Sequence, residues 1–105
     1  WMDATGWCAF TTRGDTRVDA LATSLYEAAS HHLPGKHLRT DYTDEDPDIE
    51  SDFYILRHTA CPAVLTENFF MDALPDYHFL LTEKGQQSLV DLHMDGICRY
   101  LSSAT

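Results

Sequence analysis

Apolar positions along the 105-residue chain fall into short runs and one-sided stripes. Residues 7–11 (WCAFT) form a compact apolar run ending at the Arg13-Gly14-Asp15 turn, which predicts a strand. The next apolar positions, Val18, Leu21, Ala22, Leu25 and Ala29, recur at helical spacing. Asp15 or Thr16 supplies the N-cap, Asp19 lies three residues after Thr16 as in a capping box, and Pro34-Gly35 stops the helix near Leu33. Residues 53–57 (FYILR) and 63–66 (AVLT) read as two further strands, continuous enough to be covered on both faces. Asp72 starts a short helix through Leu81. A last helix follows over 83–101 with Leu89, Val90, His93, Met94, Ile97 and Leu101 facing inward.

Strands alternating with helices predict an α/β fold, a three-layer sandwich with a mixed, mostly parallel sheet flanked by helices. Three strands are few for a doubly covered sheet, and the first begins close to the start of the chain. The expectation is therefore the C-terminal half of a single domain rather than all of it. A sheet so truncated would carry a bare edge, and self-association through that edge is expected.

Charge narrows the functions. Seven Lys plus Arg stand against 17 Asp plus Glu, for a net charge of −10, which opposes nucleic-acid binding because little cationic surface is available to displace counterions from phosphates. No apolar stretch reaches the roughly 18 to 20 residues of a membrane span. Trp1-Met2-Asp3 has neither the basic start nor the apolar core of a signal peptide. The three cysteines, Cys8, Cys61 and Cys98, lack a CxxC and read as buried thiols.

The acidic stretch 41–52 holds seven carboxylates and reads as a solvated loop. Asp44, Asp46 and Asp48 have a calcium-loop rhythm, but Ile49 replaces the required glycine and Ile55 the final glutamate. His31 and His32 suit the C-terminal end of a helix dipole, and with His37 they match no zinc spacing. His93 falls on an apolar stripe, and His58-x-x-Cys61 has no second half. No G-x-S-x-G and no Cys/His pairing supports a nucleophile.

Glu67 is different. It follows the apolar run 63–66 and precedes Phe69 and Phe70, at the strand end where open α/β sheets bind ligands. A carboxylate there suits general base work. It equally suits a helix cap or an ion pair with Arg57 of the neighbouring strand.

The segment 54–77 (YILRHTACPAVLTENFFMDALPDY) resembles the C-terminal signature of zinc-dependent N-acetylmuramoyl-L-alanine amidases of the amidase 3 family. Leu56 and Arg57 match a strand end, Pro62-Ala63-Val64-Leu65 the next strand, and Phe70, Met71 and Asp76 the positions downstream of the catalytic glutamate, which is Glu67. The segment GWCAFTT at Gly6 and the final VDLHMDGICRYL resemble the flanking strand and last helix. The family often carries Gly where this chain has Phe69 and Asn where it has Ala73.

The resemblance implies a cell-envelope or extracellular peptidoglycan hydrolase in which Glu67 takes a proton from a zinc-bound water. The water attacks the amide between muramic acid and L-alanine. Arg57, Asn68 and Phe70 are the candidates for substrate contact. The family's zinc ligands are a His in a Gly-His-Gly turn, a Glu, and a His in a Ser-hydrophobic-His-x-Asn strand end. None of these motifs occurs in the chain, so Zn2+ is expected in an intact enzyme and not in this chain alone, which would then be inactive. The competing expectation is a zinc-free α/β module that binds muropeptides or a basic protein partner.

Overall fold

The computed structural model describes residues 4–12, 17–42 and 47–103. The elements are β1 (Trp7–Thr11), α1 (Val18–His32), β2 (Ile49–Glu50), α2 (Tyr54–His58), β3 (Leu65–Asn68), α3 (Leu74–Leu81) and α4 (Glu83–Ser103). Three strands form one mixed sheet in the order β2-β1-β3. β1 runs parallel to β2, with Phe10 opposite Ile49, and antiparallel to β3, with Cys8 opposite Glu67. The α/β class holds, while the longer of the two pairings is the antiparallel one.

β1 is buried along its whole length, as its unbroken apolar run requires. Alternation along it sends Trp7, Ala9 and Thr11 to one face and Cys8 and Phe10 to the other. α1 lies on the Trp7 face, with Val18, Ala22, Leu25 and Ala29 buried as their spacing predicts. Trp7 meets Tyr26 edge-on at 5.0 Å, and the Tyr26 hydroxyl accepts from Ala9 N and donates to Arg39 O. On the opposite face Phe10 meets Phe53 edge-on at 5.0 Å and Leu56 is buried.

Several expectations are corrected. Residues 53–57 do not form a strand: Phe53 is extended and Tyr54–His58 is a one-turn helix. Only Leu56 of this helix is buried, with Tyr54, Ile55, Arg57 and His58 exposed, and Tyr54 stacks on His58 one turn away at 4.2 Å. The place beside β1 goes to β2, inside the stretch read as a solvated loop. Pro47 and Asp48 are buried there, and the Asp48 carboxylate accepts from Thr11 Oγ1 at 2.5 Å. The calcium rhythm's Asp44 and Asp46 lie outside the described residues, as do Asp15 and Thr16, the expected caps of α1. Among the cysteines only Cys8 is buried.

Helix α4 turns a different face inward from the one its bulky residues suggest. Leu92 and Gly96 are buried, whereas Val90, Met94, Ile97 and Leu101 are exposed. The cause is the crossing with α1: a Cβ placed on Gly96 would sit 2.6 Å from Leu25 Cδ2 and 2.9 Å from Leu25 Cα. A glycine lets the two backbones touch, and that contact fixes the rotation of α4. Gly96→Ala gains about 1 kcal/mol of helix propensity but forces backbone apart, at about 1–3 kcal/mol for overpacking. A net destabilisation is expected, read as a lower midpoint in urea; an unchanged or raised midpoint would contradict the close crossing.

Candidate active site

Glu67 sits within β3, one residue before the strand's end, and shares its face with Cys8. It lines a cleft of about 520 Å3 with Asn68, Phe69, Phe70 and Met71. Its Oε2 lies 3.8 Å from Arg39 Nη1 and accepts from Cys8 Sγ at 3.9 Å, and Arg39 in turn donates to Cys8 Sγ at 3.8 Å. Arg39 also places its guanidinium 5.3 Å from the centre of the Phe70 ring. One acid, one guanidinium, one thiol and one aromatic face thus meet beside the cleft.

Arg39 had no motif to announce it. It is carried here by backbone: Arg39 N donates to Trp7 O at 2.8 Å, and the bridge between Leu38 and Trp7 sets that segment alongside β1. Gly6, at φ +97°, makes the approach feasible, because a Cβ there would meet His37 O at 2.1 Å. Arg57, the partner expected for Glu67, pairs instead with Asp52 at 3.0 Å.

Asn68 and Thr66 point to the other face, towards α4. Trp7 Nε1 donates to Asn68 Oδ1 at 2.8 Å, Asn68 Nδ2 donates to Thr66 Oγ1 at 3.2 Å, and Thr66 Oγ1 is 3.0 Å from His93 Nε2. His93 Nδ1 is 2.6 Å from Leu89 O. The stripe histidine is therefore a bonded structural residue, and the Asn68 amide is engaged in the same row. Phe70 remains on the cleft wall.

The turn after Glu67 holds both positions where the chain departs from the family pattern. Phe69 holds φ 71°, the left-handed region that glycine enters freely and a side chain enters at a cost of about 1–3 kcal/mol. Burial against Phe79, ring centres 4.9 Å apart, opposes that cost. Ala73 is the extended N-cap of α3 with no side-chain cap, the position where Asn would bond the first helical amides. Asp72, the expected start, is exposed and lies outside the helix. Asp76 is 5% exposed and accepts at Oδ2 from Gly6 N at 2.8 Å and Phe70 N at 3.1 Å. It ties the start of β1 to the turn beyond β3.

Among the described residues no three His, Cys, Asp or Glu side chains converge as metal ligands. His32 pairs with Asp95 at 3.1 Å, His37 is exposed, His58 stacks on Tyr54, and Cys61 approaches Thr59. The zinc implied by the resemblance does not fit these residues as a resident ion. Nor is any helix among them long and apolar enough to cross a membrane.

The Cys8 thiol is raised from 9.0 to about 11, first by burial and next by the Glu67 charge, with Arg39 opposing. Tyr26 is raised as well, chiefly by burial. Both groups are neutral in the fold and ionise more readily in the unfolded chain, so the contribution of Cys8 is full below pH 9 and is lost as pH climbs from 9 towards 11, while that of Tyr26 is full below pH 10 and is lost only above it. Native alkylation at pH 8 is expected to label the exposed Cys61 and Cys98 and spare Cys8. Three adducts without denaturant would contradict this.

Comparison with known proteins places these features in context. The family model described as N-acetylmuramoyl-L-alanine amidase matches residues 2–99. A sporulation-specific N-acetylmuramoyl-L-alanine amidase of Bacillus subtilis strain 168 is 43% identical over 47 residues, 45% of this chain and 18% of that protein. The crystal structure of an N-acetylmuramoyl-L-alanine amidase from Clostridium difficile 630 superposes with a TM-score of 0.80 at 22% identity, over 97% of this chain and 51% of that one. The CwlD amidase of Clostridioides difficile, solved in complex with the GerS lipoprotein, gives 0.76 at 21% identity, over 98% and 49%. The chain thus spans about half the length of these solved amidases, and its matched segment covers less than a fifth of the Bacillus relative.

Proposed function

The chain belongs to the N-acetylmuramoyl-L-alanine amidase family, and from that premise we propose that it carries the general base of a peptidoglycan hydrolase that cuts the amide between N-acetylmuramic acid and L-alanine. The supporting observation is Glu67 in its cleft: a half-buried carboxylate on β3, beside Arg39 and Phe70, in a chain matched by the family along nearly all its length. Glu67 accepts the proton of the attacking water and returns it to the departing amine of L-alanine, work that contributes about 10²- to 10⁴-fold in rate. Arg39 keeps the carboxylate turned into the cleft, and Phe70 forms the wall against which substrate lies.

The family's zinc-ligand motifs do not occur in this sequence, so we assign the ligands to sequence outside this chain, and this chain to the C-terminal part of the catalytic domain. Zinc there would supply a Lewis acid for the carbonyl. Such a substrate puts the activity at the cell envelope or outside the cell. A zinc-free module that binds muropeptides or a basic partner is the second reading, and the net charge of −10 suits a basic partner.

Two measurements test the assignment. Elemental mass spectrometry of the chain, dialysed against a little free zinc, is expected to give close to zero zinc per chain; one zinc per chain would overturn the placing of the ligands. A protein containing this chain together with the sequence that supplies the ligands is expected to release peptides beginning with L-alanine from peptidoglycan. Muropeptide binding without release would favour the second reading.

A further inference from the structure

A second cavity, of about 350 Å3, opens where the end of α1 meets α3 and the start of α4. Its walls include His32, Leu33, Lys36, Phe79, Lys84 and Ser88. Lys36 and Lys84 are the only two lysines of a chain whose net charge is −10, and both line this one space. Their placement is built by the fold. Lys36 follows the Pro34-Gly35 turn, its amide bonded to Leu33 O at 3.1 Å, and its ammonium lies 4.2 Å over the Phe79 ring. Lys84 is set by the tight α3–α4 junction, where Thr82 Oγ1 accepts from Gly85 N at 2.9 Å and a Cβ on Gly85 would strike Phe79 O.

None of the ion pairs found among the described residues involves either lysine. His32 is occupied by Asp95, so the cationic character of the cavity rests on the two ammonium groups. Leu33 and Phe79 give the same space an apolar side. The cavity is joined to the Glu67 cleft by one aromatic contact, since Phe69 lines the cleft and packs at 4.9 Å on Phe79.

We propose that this cavity binds a carboxylate-bearing peptide segment, with the carboxylate between Lys36 and Lys84 and an alkyl side chain against Phe79 and Leu33. Two point-charge donors suit an anion, and the apolar wall selects a peptide over a bare ion. Resting on the amidase reading, the segment is the stem peptide of the substrate, held beyond the turn that follows Glu67.

The test is an NMR titration of the chain with the tripeptide Ala-Glu-Ala, with Ala-Gln-Ala amide, and with inorganic phosphate. The acidic tripeptide is expected to shift the signals of Lys36, Lys84 and Ser88, and Lys36→Gln or Lys84→Gln to weaken it about tenfold, the scale of one lost charge-assisted hydrogen bond. Lys36→Arg, which keeps the charge, is expected to retain binding. Absence of shifts at the cavity, equal binding of the uncharged tripeptide, or phosphate binding as tightly as the acidic tripeptide would each overturn the assignment. Glu67→Gln should leave this binding unchanged. Binding at the cavity in a protein that fails to cleave peptidoglycan would count against the amidase reading alone, and cleavage without binding would count against the cavity alone.

Discussion

Glu67→Gln, made in the active amidase, is expected to lower the rate of stem-peptide release by about 10²- to 10⁴-fold, the range removed with a general base. The amide keeps the shape of the side chain and can still accept from Cys8 and Arg39, so the cleft should survive intact. Folding stability should change by less than about 0.5 kcal/mol, as for a half-exposed position outside the core. Chromatography of released peptides gives the rate, and denaturant unfolding the stability. Retention of more than about a tenth of the wild-type rate would exclude Glu67 as the base. The contrast is Asp76→Asn. That acid lies in the same region but is buried on two backbone amides, so its replacement should lower stability first and activity only as a consequence.

Trp7→Ala is expected to cost about 3–5 kcal/mol, the range for removing a large buried aromatic. Its side chain is fully buried, edge-on to Tyr26, and donates to Asn68 from the middle strand of the sheet. A domain of ordinary stability holds only about 5–15 kcal/mol, so the loss should be a large fraction of the total. Circular dichroism during urea unfolding measures the loss. A loss below about 1.5 kcal/mol, comparable to one isosteric core swap, would mean that the sheet does not depend on this ring.

The sequence made some of this legible and hid the rest for physical reasons. β1 and α1 were readable because their buried positions are also their apolar ones, from Trp7 to Phe10 and from Val18 to Ala29. Residues 53–57 were not, because a short apolar run fits strand and helix alike and only burial of Leu56 alone decides it. β2 is two residues defined by pairing with Phe10 and Thr11, inside a segment whose composition speaks for solvent. On α4 the bulky residues outvoted Gly96, which contributes nothing to a hydrophobic stripe and yet sets the face that α1 covers. Glu67 stood out as an acid among apolar neighbours, but only family resemblance gave it a role. Arg39 and Cys8 converge on it through a crossing segment and strand register, information that no local window contains.

The row from Trp7 to Leu89 has a direction. Leu89 O can only accept, so His93 Nδ1 carries a proton, and in that tautomer Nε2 accepts from the Thr66 hydroxyl. Thr66, having given its proton away, receives one from Asn68 Nδ2, which leaves Asn68 Oδ1 turned to the Trp7 indole. Four donors thus point the same way: a carbonyl on α4 sets the tautomer of His93, and the Trp7 indole, which can only donate, sets the orientation of the Asn68 amide. The residue next to Glu67 is thus held from the opposite side of the sheet, by a row that runs from the indole of the middle strand to a helix and never enters the cleft.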